Sequence, residues 1–218
     1  MAGVANELES ARVARVLRTE ILHGDRAPGS RLVERDVAAE LDVSRLPVRE
    51  AIRMLAAEGV VISRPRSGAV VREFTAKDVQ DFGEVREAVE TLVFVLAAER
   101  HDAAGLARLR SALDDEFAGA EAGDAARAHD AAGEFHVIVA RLAQNSMLDE
   151  ILHGLVTRLR WLFGQHDDLL AMAREHERLY RAIARRDTAK LRRIVPEHLA
   201  AGHQEALRRL ALRDRAVG

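Results

Sequence analysis

The chain has 218 residues, 48% of them apolar and 31% charged, with Lys+Arg 33 against Asp+Glu 35. That usage excludes disordered, collagen-like and coiled-coil rod chains, and the near-balanced charge gives no global field for nucleic acid, so any charged partner must be met by a local patch. The absence of cysteine removes disulfides, thiol nucleophiles and Cys-ligated clusters, and the longest apolar run, Leu92 to Ala98, is far short of a membrane span; with no leader-like N-terminus, a cytoplasmic protein without membrane contact is expected.

Val13, Leu17 and Ile21 recur at four-residue spacing beside Val16, which predicts an amphipathic helix ending near Gly24. After the Pro28-Gly29-Ser30 turn, Leu32, Val37 and Leu41 suit a short second helix. Ser44 is placed to cap a third, turned inward through Val48, Ile52 and Leu55 and ended by Gly59. Val60-Val61-Ile62 and Ala69-Val70-Val71, joined by a polar turn with Gly68, read as a hairpin. Three helices and a hairpin predict a winged helix-turn-helix over residues 1–74.

No proline lies between Pro65 and Pro196, and β-branched runs of strand length stop after Val71, so residues 75–218 read as all-α. Thr75-Ala76-Lys77-Asp78 is a capping-box pattern opening a helix that runs to about His101. Five more helices are expected near 103–121, 124–143, 146–164, 167–186 and 189–212, bounded by Asp102, Gly123, Asn145, Gly164 and Asp187. The fold class is therefore mainly α, a winged helix-turn-helix followed by a six-helix bundle.

The stretch from Pro28 to Val61, PGSRLVERDVAAELDVSRLPVREAIRMLAAEGVV, resembles the DNA-binding domain of the GntR family of bacterial transcription regulators. The PG-x-RL turn, the VERDVA second helix, the VSR-x-PVREAI recognition helix and the LAAEGVV exit occur in order and at family spacing. The resemblance implies that Ser44, Arg45 and Arg49 meet base edges or phosphates in the major groove. Arg35 would contact backbone phosphate, and Arg64, Arg66 and Gly68 in the hairpin would reach the minor groove. Arg45 and Arg49 share one helix face, and a guanidinium can donate two hydrogen bonds to guanine. Leu46 stands where the family carries a small or polar residue, which bears on the operator sequence.

Residues 76–212 resemble the FCD effector domain of the FadR subgroup, through Val85-Arg86 with Glu90, Phe135-His136, Asn145, Glu175-His176 and His198-Leu199. That resemblance implies a small organic-acid effector, with Arg86 and Asn145 in its site, and a divalent metal at the bundle centre. His136, His176 and His198 stand at the family's ligand spacing, whereas Ala132 occupies the position of its aspartate. Periodicity turns all three histidines toward apolar faces. Three imidazoles suffice for zinc, with nickel or cobalt also acceptable, and the expected metal is zinc or nickel. Arg86, inward among Val79, Phe82, Val89 and Val93, needs an anion, which Glu90 one turn on or an effector carboxylate can supply. His23, His101, His153 and His166 share no face and read as surface; His203 suits packing.

The leading expectation is a homodimeric DNA-binding regulator, not an enzyme, whose operator affinity is set by a small carboxylate. One alternative is a metal-dependent bundle enzyme using His136, His176 and His198, which lacks a general base on those faces. The other is a dimerising module in which the three histidines only pack.

Overall fold

The computed structural model of the chain describes residues 8–64, 68–153, 155–163 and 166–217. The chain divides into two compact units, Met1–Glu73 and Phe74–Gly218.

In the first unit, α1 (Glu9–His23) buries Val13, Leu17 and Ile21, and Gly24 ends it at φ 87, a left-handed conformation that glycine adopts without steric cost. Next come β1 (Arg31–Leu32), α2 (Glu34–Glu40), α3 (Arg45–Ala57), β2 (Val61–Arg64) and β3 (Gly68–Val71). The sheet is antiparallel in the order β1-β3-β2. Strand β1 departs from expectation, since the sequence pattern places Leu32 in the second helix. The Pro28-Gly29 turn instead carries it to the free edge of β3, with the Gly29 amide donating to the Val71 carbonyl and the Val71 amide to the Ser30 carbonyl, each at 2.9 Å. A strand of two residues leaves no alternation to read. Ser44 holds the N-cap position of α3, but its side chain makes no capping bond. Pro47 sits in the first turn, where a missing amide hydrogen costs nothing.

The second unit holds α4 (Ala76–Arg100), α5 (Ala103–Ala122), α6 (Ala125–Leu142), α7 (Ser146–His153), α8 (Val156–Phe163), α9 (Leu169–Ala184) and α10 (Thr188–Val217). The helix expected over 146–164 is thus two segments, giving seven in this unit among the described residues. Between the two segments Leu155 forms a turn, its amide donating to the Leu152 carbonyl at 2.9 Å. The expected capping box opens α4: Thr75 Oγ1 accepts from the Asp78 amide at 3.1 Å, and Asp78 accepts from the Thr75 amide at 2.8 Å. Asp102, Asp124, Asp168 and Asp187 accept from amides three residues on, which is why short polar breaks suffice between long helices. Helices α5 and α6 approach closely at Gly119, where a Cβ would lie 2.8 Å from the Ala128 amide nitrogen.

The core joins Phe94, Leu109, Leu113, Phe135, Leu179, Ile183, Leu191 and Val195. Arg86, Glu90, Glu116, His176 and His198 are buried among these helices. Such residues are seldom buried unless paired or ligating, so they locate the site. Among the described residues, no helix is long and apolar enough to cross a membrane.

Candidate functional site

Helices α6, α9 and α10 bring His136, His176 and His198 together, each offering a nitrogen within 4.8 Å of those of the other two. Ring centroids are 5.0 to 5.6 Å apart. Phe135 stacks on His176 at 4.7 Å and 15°, which fixes the plane of that ring. Each Nδ1 faces a carboxylate. For His176 the partners are Glu116 Oε1 and Oε2 at 2.9 and 2.8 Å, for His198 Glu175 Oε2 at 2.9 Å, and for His136 Glu90 Oε2 at 3.3 Å. Nε2 of His176 and Nε2 of His198 are buried without a hydrogen-bond partner.

Burial pushes His198 well below the ordinary imidazole range, and the neighbouring His176 and His136 push in the same direction. Burial also lowers His136, against the upward pull of Glu90. These two rings are therefore neutral near pH 7, as metal ligation requires. Orphaned, inward Nε2 atoms on rings whose Nδ1 is held by a carboxylate make a donor set that fits a divalent metal of the zinc type. Among the described residues this group is three imidazoles alone. Ala132 is buried on the neighbouring wall, and Asp130 pairs instead with Arg160 at 2.7 Å.

The imidazoles line a cavity of about 220 Å³, together with Arg86, Glu90, Ala132, Gly133, Arg160, Phe163 and His166. Arg86 enters as expected. Its Nε donates to Glu90 Oε1 at 2.6 Å, and its guanidinium carbon lies 4.9 Å from the Phe163 ring centroid. Burial alone would raise the Glu90 carboxyl, but Arg86 and His136 outweigh it and pull the group down to about 2. Glu90 is thus a fixed anion on the cavity wall.

Two expectations need correction. Asn145 does not line the cavity; its Oδ1 accepts from the Leu148 amide at 3.3 Å, so it caps α7. His166 is not a surface residue: it lines the cavity, burial pushes it down to about 4, and its carbonyl accepts from His129 Nε2 at 2.9 Å. It stands between α8 and α9, where no helical period could mark it. His101 is also partly buried, at the C-cap of α4, and His203 packs, stacked on Phe163. Sequence reasoning gave no role to Glu116 or Glu175. For Glu116 there was a signal, a carboxylate interrupting the apolar stripe Leu109, Leu113 and Ala120.

In the first unit, Ser44, Arg45, Leu46 and Arg49 are exposed at the start of α3. Arg49 donates through Nε and Nη2 to the two oxygens of Glu34, each at 2.9 Å, and Arg45 Nη2 reaches the same carboxylate at 3.4 Å. The hydrogen bond from Arg49 holds Glu34 below the ordinary carboxylate range. Arg35 is 81% exposed and donates to Asp36. Gly68 opens β3 at φ 84. Arg66 and the side chain of Arg64 lie outside the described residues.

A three-helix unit with a small sheet and two arginines on the exposed turn of its third helix, followed by a helical unit with an imidazole-lined cavity, defines a winged-helix DNA-binding protein with a second, helical domain. Comparison with known proteins gives the family. Residues 9–71 match the bacterial regulatory proteins of the gntR family, and residues 81–201, more than half of the chain, match the FCD domain. The HTH-type transcriptional regulator LutR of Bacillus subtilis (strain 168) is 31% identical over 204 residues, covering 82% of this chain and 92% of LutR. The HTH-type transcriptional repressor RspR of Escherichia coli (strain K12) is 28% identical over 192 residues, covering 86% and 84%. The crystal structure of a GntR regulator from Rhodococcus sp. RHA1 matches with TM-score 0.77 and 28% identity over 91% of this chain and 97% of that one. The chain belongs to the GntR family of bacterial transcriptional regulators and carries an FCD domain. It is a DNA-binding regulator, and the enzyme alternative is set aside because its family and relatives are transcriptional regulators.

Proposed function

We propose that the helical unit binds a divalent metal, zinc or nickel, on His136, His176 and His198, and that a small carboxylate held beside it by Arg86 sets the affinity of the chain for its operator. The observation that carries this reading is the pair of orphaned Nε2 atoms on His176 and His198, which meet the third imidazole at the wall of the cavity. A buried acceptor without a donor costs free energy, and a cation shared by the cluster removes that cost. When bound, the metal would supply a Lewis-acidic centre for an anionic ligand, since three imidazoles leave coordination positions open. With Ala132 offering no oxygen, the site favours ions suited to imidazole over magnesium or calcium.

On the DNA side, Ser44, Arg45 and Arg49 are assigned to the major groove, Arg35 to phosphate, and Arg64, Arg66 and Gly68 to the minor groove or its phosphates. The uncapped N-terminus of α3 leaves amides and the Ser44 hydroxyl for a phosphate oxygen. A two-fold homodimer on a palindromic operator completes the reading, with ligand binding altering the spacing of the two recognition helices.

The metal part is tested on protein prepared without a histidine tag. One equivalent of zinc or nickel per chain is expected, with a raised melting temperature on adding it to stripped protein. His176→Ala should abolish both effects. A wild-type protein that carries no metal and gains no stability from either ion would reduce the cluster to a polar pocket.

A further inference from the structure

We infer that Glu116 and Glu175 are positioning residues of the histidine site, orienting its imidazoles and supplying at one remove the negative charge that no directly ligating carboxylate provides. The inference rests on the metal reading above and adds to it the residues that orient its rings.

Glu116 projects from α5 and has no exposed surface. Both its oxygens lie within hydrogen-bond distance of His176 Nδ1. A carboxylate only accepts, so Nδ1 carries a proton and Nε2 is the atom left facing the cluster. Phe135, stacked on His176, opposes a ring flip. The same device recurs on the next helix, where Glu175 accepts from His198 Nδ1 and leaves Nε2 of that ring inward. A polar pair taken into the interior contributes little to folding compared with apolar residues of the same volume. Packing alone therefore does not account for two such pairs aimed at one point.

Among the carboxylates beside the three rings, Glu90 is paired with Arg86, while Glu116 and Glu175 face the other two imidazoles. Outer carboxylates on ligating histidines fix the tautomer and raise basicity, and their loss lowers metal affinity 10- to 100-fold.

Zinc affinity of the full chain is measured by competition with a chromophoric chelator, and the cobalt(II) absorption spectrum reports ligand geometry. Glu116→Gln and Glu175→Gln keep an acceptor for Nδ1 and remove the charge; Glu175→Ala removes both. Each should weaken zinc binding roughly 10- to 100-fold, with the alanine variant weakest and its cobalt spectrum altered. Glu175 retains a third of its surface, so the metal-free melting temperature of Glu175→Gln, which keeps the acceptor, should stay at the wild-type value, an outcome a structural role would not give. Glu177→Gln, on an exposed pair with Arg181, serves as the control. If Glu116→Gln does not fold, the Glu175 variants decide. Wild-type affinity in the Glu175 variants, with zinc bound by the unmodified protein, overturns this inference and leaves the metal reading standing. Failure of the unmodified protein to bind zinc or cobalt overturns both.

Discussion

Arg86→Ala should lower the unfolding free energy of the helical unit by about 3–5 kcal/mol, the usual cost of breaking a buried pair from one side. Arg86 and Glu90 each keep only 8% of their side-chain surface, so truncating the arginine strands a carboxylate whose other neighbour is His136 Nδ1 at 3.3 Å. Glu90 Oε2 already lacks a hydrogen-bond partner, and after the substitution Oε1 would lack one too. Replacing both residues, as in Arg86→Met with Glu90→Leu, removes the orphan and should recover most of the loss. Urea unfolding of the single and double variants checks this. A single variant within about 1 kcal/mol of wild type would show that solvent or rearrangement satisfies Glu90, and the fixed anion on the cavity wall would have to be given up. If the single variant is studied below its unfolding midpoint, it should bind DNA normally and no longer respond to a carboxylate, because the guanidinium that would hold the acid is gone.

Arg49→Ala should weaken binding to the operator roughly 10- to 100-fold at fixed salt, the range for losing one bidentate base contact. Without DNA, the Arg49 fork is engaged by Glu34. Both side chains are partly exposed, and exposed pairs of flexible side chains contribute little net stability. A guanine edge or a phosphate can therefore displace Glu34, which meanwhile keeps the fork oriented. Arg45→Ala should behave similarly with a smaller effect if it meets phosphate, and its salt dependence then distinguishes the roles. Loss of a phosphate contact lowers the salt slope by about one, whereas loss of a base contact relaxes sequence preference. Fluorescence anisotropy on the chain's own promoter region measures both. Equal affinity of wild type and Arg49→Ala would remove this helix from the recognition surface.

Much of this architecture was legible because it depends on local chemistry. The four-residue recurrence of Val13, Leu17 and Ile21 fixed α1, and the Thr75-Asp78 box fixed the start of α4. Apolar faces turned Arg86, His176 and His198 inward before any contact was known. Strand β1 was not legible, since two residues gain their conformation only from the edge of β3. Nor was the break between α7 and α8, which no proline and no run of polar residues marks. His166 lies outside any helix and Glu175 lies next to His176, so their roles depend on how helices pack rather than on period. Asn145 caps α7, a place its residue type favours, whereas the resemblance implies a ligand's role. Glu116 carried the same signal as Arg86, a charge within an apolar stripe, and the same reasoning applied to it would have placed it in the core.

If occupancy of the histidine-lined cavity controls DNA affinity, a paired titration shows it most directly. Zinc-loaded protein is screened by thermal shift against small mono- and dicarboxylates, and each acid that raises the melting temperature is then added to the complex with promoter DNA. An acid bound in the cavity should change DNA affinity roughly 5- to 150-fold, the usual span of coupling between two sites, and should have no effect in His176→Ala. Acids that stabilise the helical unit and leave DNA affinity unchanged would contradict the account.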